Sequence, residues 1–162
     1  MLCQIASDHP QKPCFWDYHV ILIQSSKVVK KGKSVVQAKA LDMDSHLPFP
    51  CALQEYLDET FNMRFSDKDE ENSFAPIFRL IRAEAYIQHF YSDRMHMKNK
   101  DGSWIAKPPS YDCITTSNMK KNENGSLSNL DDYIAMKKGK DASKLGEIYT
   151  LEQLRSKFGL ES

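Results

Sequence analysis

A single globular domain that combines a β-hairpin with several short helices is the fold this sequence predicts, and three observations carry that expectation. Residues 16–24 and 35–44 are rich in Val, Ile, Leu and aromatics and flank a polar connection, Lys27-Val28-Val29-Lys30-Lys31-Gly32-Lys33, with one glycine. Leu53, Tyr56, Leu57 and Phe61 recur at helical spacing. With 162 residues and 41% hydrophobic content, the chain is long enough for one core and short for two, so residues 1–162 are read as one domain.

The remaining elements follow from local chemistry. Asp42, Asp44 and the proline-bracketed Phe49 end the second strand, because Pro48 and Pro50 cannot donate to a central ladder and hold their predecessors extended. In residues 66–73, five of eight side chains are charged, which predicts a solvated, mobile loop. Phe78 to Ala85 reads as a strand running into a helical turn over Tyr86 to Phe90. Ser92 to Ser126 holds Gly102, Pro108, Pro109 and Gly125 among polar residues, a long surface segment of the kind that often carries function. Ser128-Asn129-Leu130-Asp131 and Thr150-Leu151-Glu152-Gln153 each predict a capping box, and Gly159 the left-handed stop of the last helix.

Charge narrows the partners. Lys plus Arg and Asp plus Glu are balanced at 22 each, so no electrostatic excess favours nucleic acid or an anionic membrane. No apolar run reaches the roughly 20 residues of a spanning helix, and the first residues are too short and polar for a signal sequence. A soluble, cytoplasmic protein is expected. Cys3, Cys14, Cys51 and Cys113 lack C-x-x-C spacing, so they read as reduced thiols rather than zinc ligands, and neither metal nor cofactor is expected.

One constellation points to chemistry. In a regular antiparallel hairpin with its turn centred between Lys30 and Lys31, His19 faces Asp42, while Ile21 faces Ala40 and Ile23 faces Ala38. Directly opposed side chains have Cβ atoms about 4.5 to 5.5 Å apart, within reach of a carboxylate and an imidazole. An Asp against one ring nitrogen orients the histidine and leaves the other nitrogen to take a proton from a thiol or hydroxyl. The competing reading is an inter-strand salt bridge. His9, His46, His89 and His96 lack such a partner; the Arg94-Met95-His96 patch is read first as loop-pinning and second as functional. Trp16 and Tyr18 are expected in the core, and Trp104 over a cleft or over the underside of its own loop. The acidic stretch Asp67 to Glu71 is a solvated loop, or a lure for a cationic α-amino group.

Several longer motifs occur together. Trp-Asp-Tyr-His-Val at 16–20, Leu-Asp-Met-Asp at 41–44, Leu-Pro-Phe-Pro-Cys at 47–51, Ser-Asp-Arg-Met-His-Met at 92–97 and Gly-Ser-Trp at 102–104 resemble the protein N-terminal glutamine amidohydrolase family. Pro-Pro-Ser-Tyr-Asp-Cys-Ile at 108–114, Leu-Asp-Asp-Tyr-Ile-Ala-Met at 130–136 and Tyr-Thr-Leu-Glu-Gln-Leu at 149–154 continue the resemblance in order. It implies an α+β, papain-like and transglutaminase-like fold with a central antiparallel sheet flanked by helices. It also implies a Cys-His-Asp triad that hydrolyses the side-chain amide of N-terminal glutamine in proteins and peptides, releasing ammonia and feeding the arginine branch of the N-degron pathway. His19 and Asp42 take the histidine and aspartate positions. A monomer in the cytoplasm, with the nucleus as a second location, goes with that family.

The family's nucleophile lies on an earlier Cys-Glu-Glu-Asn segment, and no cysteine here is followed by that pattern. The resemblance therefore implies an N-terminally truncated gene model, isoform or fragment, with Met1 an internal start and an N-terminal helix missing. Such a chain alone is expected to show no appreciable amidase activity. Two alternatives stand: an inactive fragment or pseudoenzyme that binds N-terminal peptides, and an enzyme that recruits Cys14.

Overall fold

The computed structural model describes residues 1–30, 32–62, 74–122, 125–136 and 145–161. The expected acidic loop at 66–73 lies outside the described residues. The chain divides into two compact units, Met1–Phe78 with Tyr149–Ser162, and Arg79–Ile148. Its described elements make a mixed α/β structure with small sheets and four α-helices.

In the first unit, β1 (Leu22–Lys30), β2 (Lys33–Leu41) and β3 (Cys51–Ala52) form an antiparallel sheet in the order β1-β2-β3. The hairpin exists, but its register is not the expected one. Leu22 pairs with Leu41, Ile23 with Ala40 and Ser25 with Ala38, which centres the turn between Lys31 and Gly32. The cause is Gly32. Its φ of 74° is a positive dihedral that glycine adopts at little cost and that hairpin connections favour, so the connection includes the glycine. Most of the expected connector, Lys27 to Lys33, is accordingly ladder, and residues 16–21 precede the strand instead of beginning it.

Only Ala38 and Ala40 of β2 are buried, at the period of two that a one-faced strand shows. Against β2 lie α1 (Leu53–Thr60) and the last helix, α4 (Leu151–Phe158). Leu53, Tyr56, Leu57 and Thr60 are the buried side of α1, and Leu154 is buried on α4. Phe61, expected on that stripe, falls just beyond the helix and meets Tyr56 and Phe78 edge-to-face. The capping box of α4 forms as expected: Thr150 Oγ1 accepts from Gln153 N–H at 3.3 Å, and Gln153 Oε1 accepts from Thr150 N–H at 3.0 Å. Gly159 ends the helix at φ 65°. Arg155 closes α4 onto α1 through a 2.7 Å ion pair with Asp58.

The first twenty-one residues form no helix or long strand, yet they are tied down. Leu2 N–H donates to Thr60 O at 2.8 Å, Ile5 N–H to Asp44 O at 2.7 Å, and Cys3 O accepts from His46 N–H at 2.8 Å. These bonds anchor the segment against the end of α1 and the loop after β2.

β4 (Ile77–Leu80) and β5 (Glu147–Thr150) pair as a two-stranded sheet, and the division between the units falls within both strands. In the second unit, α2 (Ala83–His89) begins at Ala83, earlier than the expected turn at Tyr86. Its Tyr86 and Phe90 stack on each other and meet Tyr133 of α3 (Leu130–Ile134) edge-on. The expected capping box of α3 does not form. Asn129 is the N-cap, and its side chain is used elsewhere, accepting from Tyr91 N–H at 3.0 Å and donating to His89 O at 2.8 Å. Gly146 at φ 71° presses on β4: a Cβ there would stand 2.1 Å from Leu80 O.

The long polar segment after Ser92 is ordered by its own bonds. Arg94, at a left-handed φ of 61°, donates to Asp112 O at 2.9 Å and lays its guanidinium over Tyr111. Asp93 accepts from Ser126 Oγ at 2.7 Å and Leu127 N–H at 2.6 Å. The loop-pinning reading of this patch is therefore what the geometry shows. Trp104 sits under Lys98, within its own loop.

Candidate active site

The first residue after β2 is Asp42, and the groups that contact its carboxylate favour the ionised form over the cost of burial. Its side chain is 2% exposed. Oδ1 accepts from Asp44 N–H at 3.0 Å, and Oδ2 accepts from the Tyr56 hydroxyl at 2.9 Å. Burial alone raises the Asp42 pKa, but the Asp44 amide, the Tyr56 hydroxyl and His19 outweigh it and hold the carboxyl below its ordinary value. The same carboxylate, together with burial, pushes the Tyr56 hydroxyl strongly upward, so it stays protonated as a donor.

His19 meets this carboxylate. Its Nε2 lies 3.1 Å from Asp42 Oδ1, in a side chain 10% exposed. The N–H direction does not align with the contact, so it is an electrostatic pairing and not a full hydrogen bond. The residues expected to come together do so, by a route different from direct opposition. His19 lies before β1 and Asp42 just after β2, so they meet at the open end of the hairpin, outside the paired ladder. Since Nε2 faces the carboxylate, Nδ1 is the nitrogen left to accept a proton.

Two further side chains set the imidazole, and neither stood out in the sequence as more than packing. Trp16 stacks on His19 at 5.2 Å between centroids and 25° between planes. Its indole N–H donates to Gln4 Oε1 at 3.2 Å, and Gln4 is completely buried. Trp16 and Tyr18 are both about two-fifths exposed, which corrects their expected place in the core: they stand on the surface beside the histidine, before β1 begins. Tyr56 had a readable signal, because a tyrosine on the buried stripe of a helix needs a partner for its hydroxyl.

The four cysteines are free thiols. Burial, then Glu59, pushes the Cys3 thiol up, and burial, then Glu55, takes Cys51 up to about 11. Both shifts oppose thiolate formation, the reverse of what a nucleophile needs. Among the described residues, the His, Cys, Asp and Glu side chains close enough to share an ion are His19, Asp42 and Asp44. His9, His89 and His96 stand outside that group; His9 Nδ1 accepts from Gln11 N–H at 3.2 Å.

A histidine paired with a buried aspartate, the carboxylate held by a tyrosine and the imidazole stacked on a tryptophan, is the constellation that this mixed α/β chain presents. The comparison with known proteins makes this particular: the chain belongs to the N-terminal glutamine amidase family, whose sequence model matches residues 1–158. It is 37% identical over 155 residues to the protein N-terminal glutamine amidohydrolase of Danio rerio, covering 96% of this chain and 67% of that protein. The proteins of the same name from Homo sapiens and Arabidopsis thaliana are 38% and 37% identical, over 91% and 97% of this chain and 62% and 65% of their own lengths. The chain thus spans about two thirds of the length of the curated relatives it matches.

Proposed function

We propose that this protein hydrolyses the side-chain amide of N-terminal glutamine in proteins and peptides, with His19 as acid and base and Asp42 as its orienting partner. The observation that carries the reading is the 3.1 Å approach of His19 Nε2 to a buried, tyrosine-held carboxylate, in a chain of this family. A thiolate attacks the amide carbon, and the imidazolium, protonated at Nδ1, returns a proton to the departing ammonia. Nδ1 then takes a proton from the water that cleaves the γ-glutamyl thioester. Asp42 stabilises the imidazolium throughout. The upward shift of the Cys3 and Cys51 thiols counts against either as that thiol.

The one-domain, papain-like and transglutaminase-like architecture is part of this proposal, supported by the antiparallel sheet with α1 and α4 against β2. The monomeric state, the cytoplasmic and nuclear location, and the supply of N-terminal glutamate to the N-degron pathway rest on family resemblance.

The upward shift of the Cys3 and Cys51 thiols favours a second reading, capture of N-terminal peptides without turnover. Ammonia release from a peptide beginning with Gln, against one beginning with acetylated Gln, separates the two when paired with calorimetry. Release above a His19→Ala control establishes the hydrolase; binding of the Gln peptide with release at the control level establishes capture. If the peptide neither binds nor reacts, both readings fail.

A further inference from the structure

We propose that His19, Asp42 and Asp44 form a site for a divalent cation of the zinc class, and that its occupancy turns off the acid–base pair. One ligand atom from each of the three lies within 4.8 Å of the other two. Neighbouring carboxylates alone do not make a site; the second observation concerns the histidine. Nε2 is buried in a side chain 10% exposed and has no aligned hydrogen bond, although it lies 3.1 Å from Asp42 Oδ1. A buried ring nitrogen left without an aligned partner is costly. It is also the donor atom that zinc-class ions prefer.

The spacing suits a tetrahedral ion. Two ligand atoms about 2.0 to 2.1 Å from such a metal stand roughly 3.3 to 3.4 Å apart. Nε2 and Oδ1 are 3.1 Å apart, so a shift of a few tenths of an ångström admits the ion on their outer edge. Asp44 is exposed and turns in by rotating its side chain. Tyr56 holds the other oxygen of Asp42 and so fixes the ligating one, the kind of outer support that metal-bound carboxylates receive. Two carboxylates neutralise the dication, and solvent fills the fourth position. The ligands are nitrogen and oxygen, so cysteine spacing gives no hint of this site.

The switching half rests on the amidohydrolase reading, whereas the binding half does not. Proton transfer requires the ring's N–H at Nε2, toward Asp42, with the lone pair at Nδ1. A cation bonded to Nε2 leaves the neutral ring's single N–H at Nδ1. The nitrogen that must take the thiol proton is then already protonated. Metal and catalysis compete for one tautomer.

The test uses cobalt(II) chloride, a coloured stand-in for zinc, titrated into the reduced protein at neutral pH. The expected result is one equivalent bound, with visible bands of a tetrahedral nitrogen–oxygen site and no thiolate-to-cobalt absorption. Asp44→Asn, an exposed change that spares the fold, should weaken binding at least tenfold, and Asp101→Asn should leave it unchanged. Zinc chloride should suppress ammonia release over the concentrations at which it displaces cobalt. No binding, equal binding by Asp44→Asn, thiolate absorption, or release indifferent to bound zinc would each overturn the proposal. Cobalt binding that needs Asp44, in a protein that never releases ammonia, would leave the site standing and count against the hydrolase reading alone.

Discussion

The two ends of one hairpin differ sharply. At the turn end, Val29, Val35 and Val36 are exposed and the ladder is held by its backbone. At the other end, Ala38 and Ala40 are buried against α1 and α4, and the chain just beyond carries a carboxylate with every oxygen engaged. The lesson is a division of labour. The exposed end is ladder alone, and the buried end carries the chain on to Asp42, beside the segment that holds His19.

Five measurements would break or sharpen that contrast. Where the parent releases ammonia from a peptide beginning with Gln, His19→Ala should reduce that release by roughly 10²- to 10⁴-fold, the range that positioned acid–base groups supply, with circular dichroism unchanged. Leu57→Ala at the buried end should cost about 2 to 5 kcal/mol in denaturant unfolding. Val29→Ser at the exposed end should stay within about 0.5 kcal/mol. Equal losses at the two ends would erase the distinction.

Tyr56→Phe should cost about 1 to 3 kcal/mol at neutral pH, because Asp42 Oδ2 loses its donor inside the protein. Its pH dependence has a definite sign. Asp42 titrates lower when folded, so its stabilisation is complete above the unfolded value near 3.9 and is lost as pH falls through the lower folded value. The difference between Tyr56→Phe and the parent should therefore be largest above about pH 5 and shrink in acid. A difference constant from pH 7 to pH 3 would show that the hydroxyl does not act through the carboxylate. A loss smaller than that of Tyr56→Phe is expected at the turn. Gly32→Ala, placed at φ 74°, should cost on the order of 1 kcal/mol, by urea unfolding, without altering His19.

The nearness of His19 and Asp42 was legible because each lies beside the same end of one hairpin, before β1 and just after β2, although the ladder expected to oppose them reaches neither residue. The helix over Leu53 to Thr60 and the capped helix after Thr150 were equally readable, since their signals are local. Trp16 and Gln4 were not. Their roles depend on how a segment without regular structure folds over the end of the hairpin, and no periodicity marks such a segment. The capping signal at Ser128 misled for a related reason: Asn129 forms bonds to residues nearly forty positions away, which a local reading cannot weigh.

Gly146 bears no reactive group, yet its place against Leu80 leaves no space for even a methyl. A deep mutational scan scored on survival would mark that position as intolerant as His19, for want of volume instead of want of chemistry. Separating the two takes a paired readout, abundance beside turnover. Gly146 variants should vanish from both, and His19 variants from turnover only.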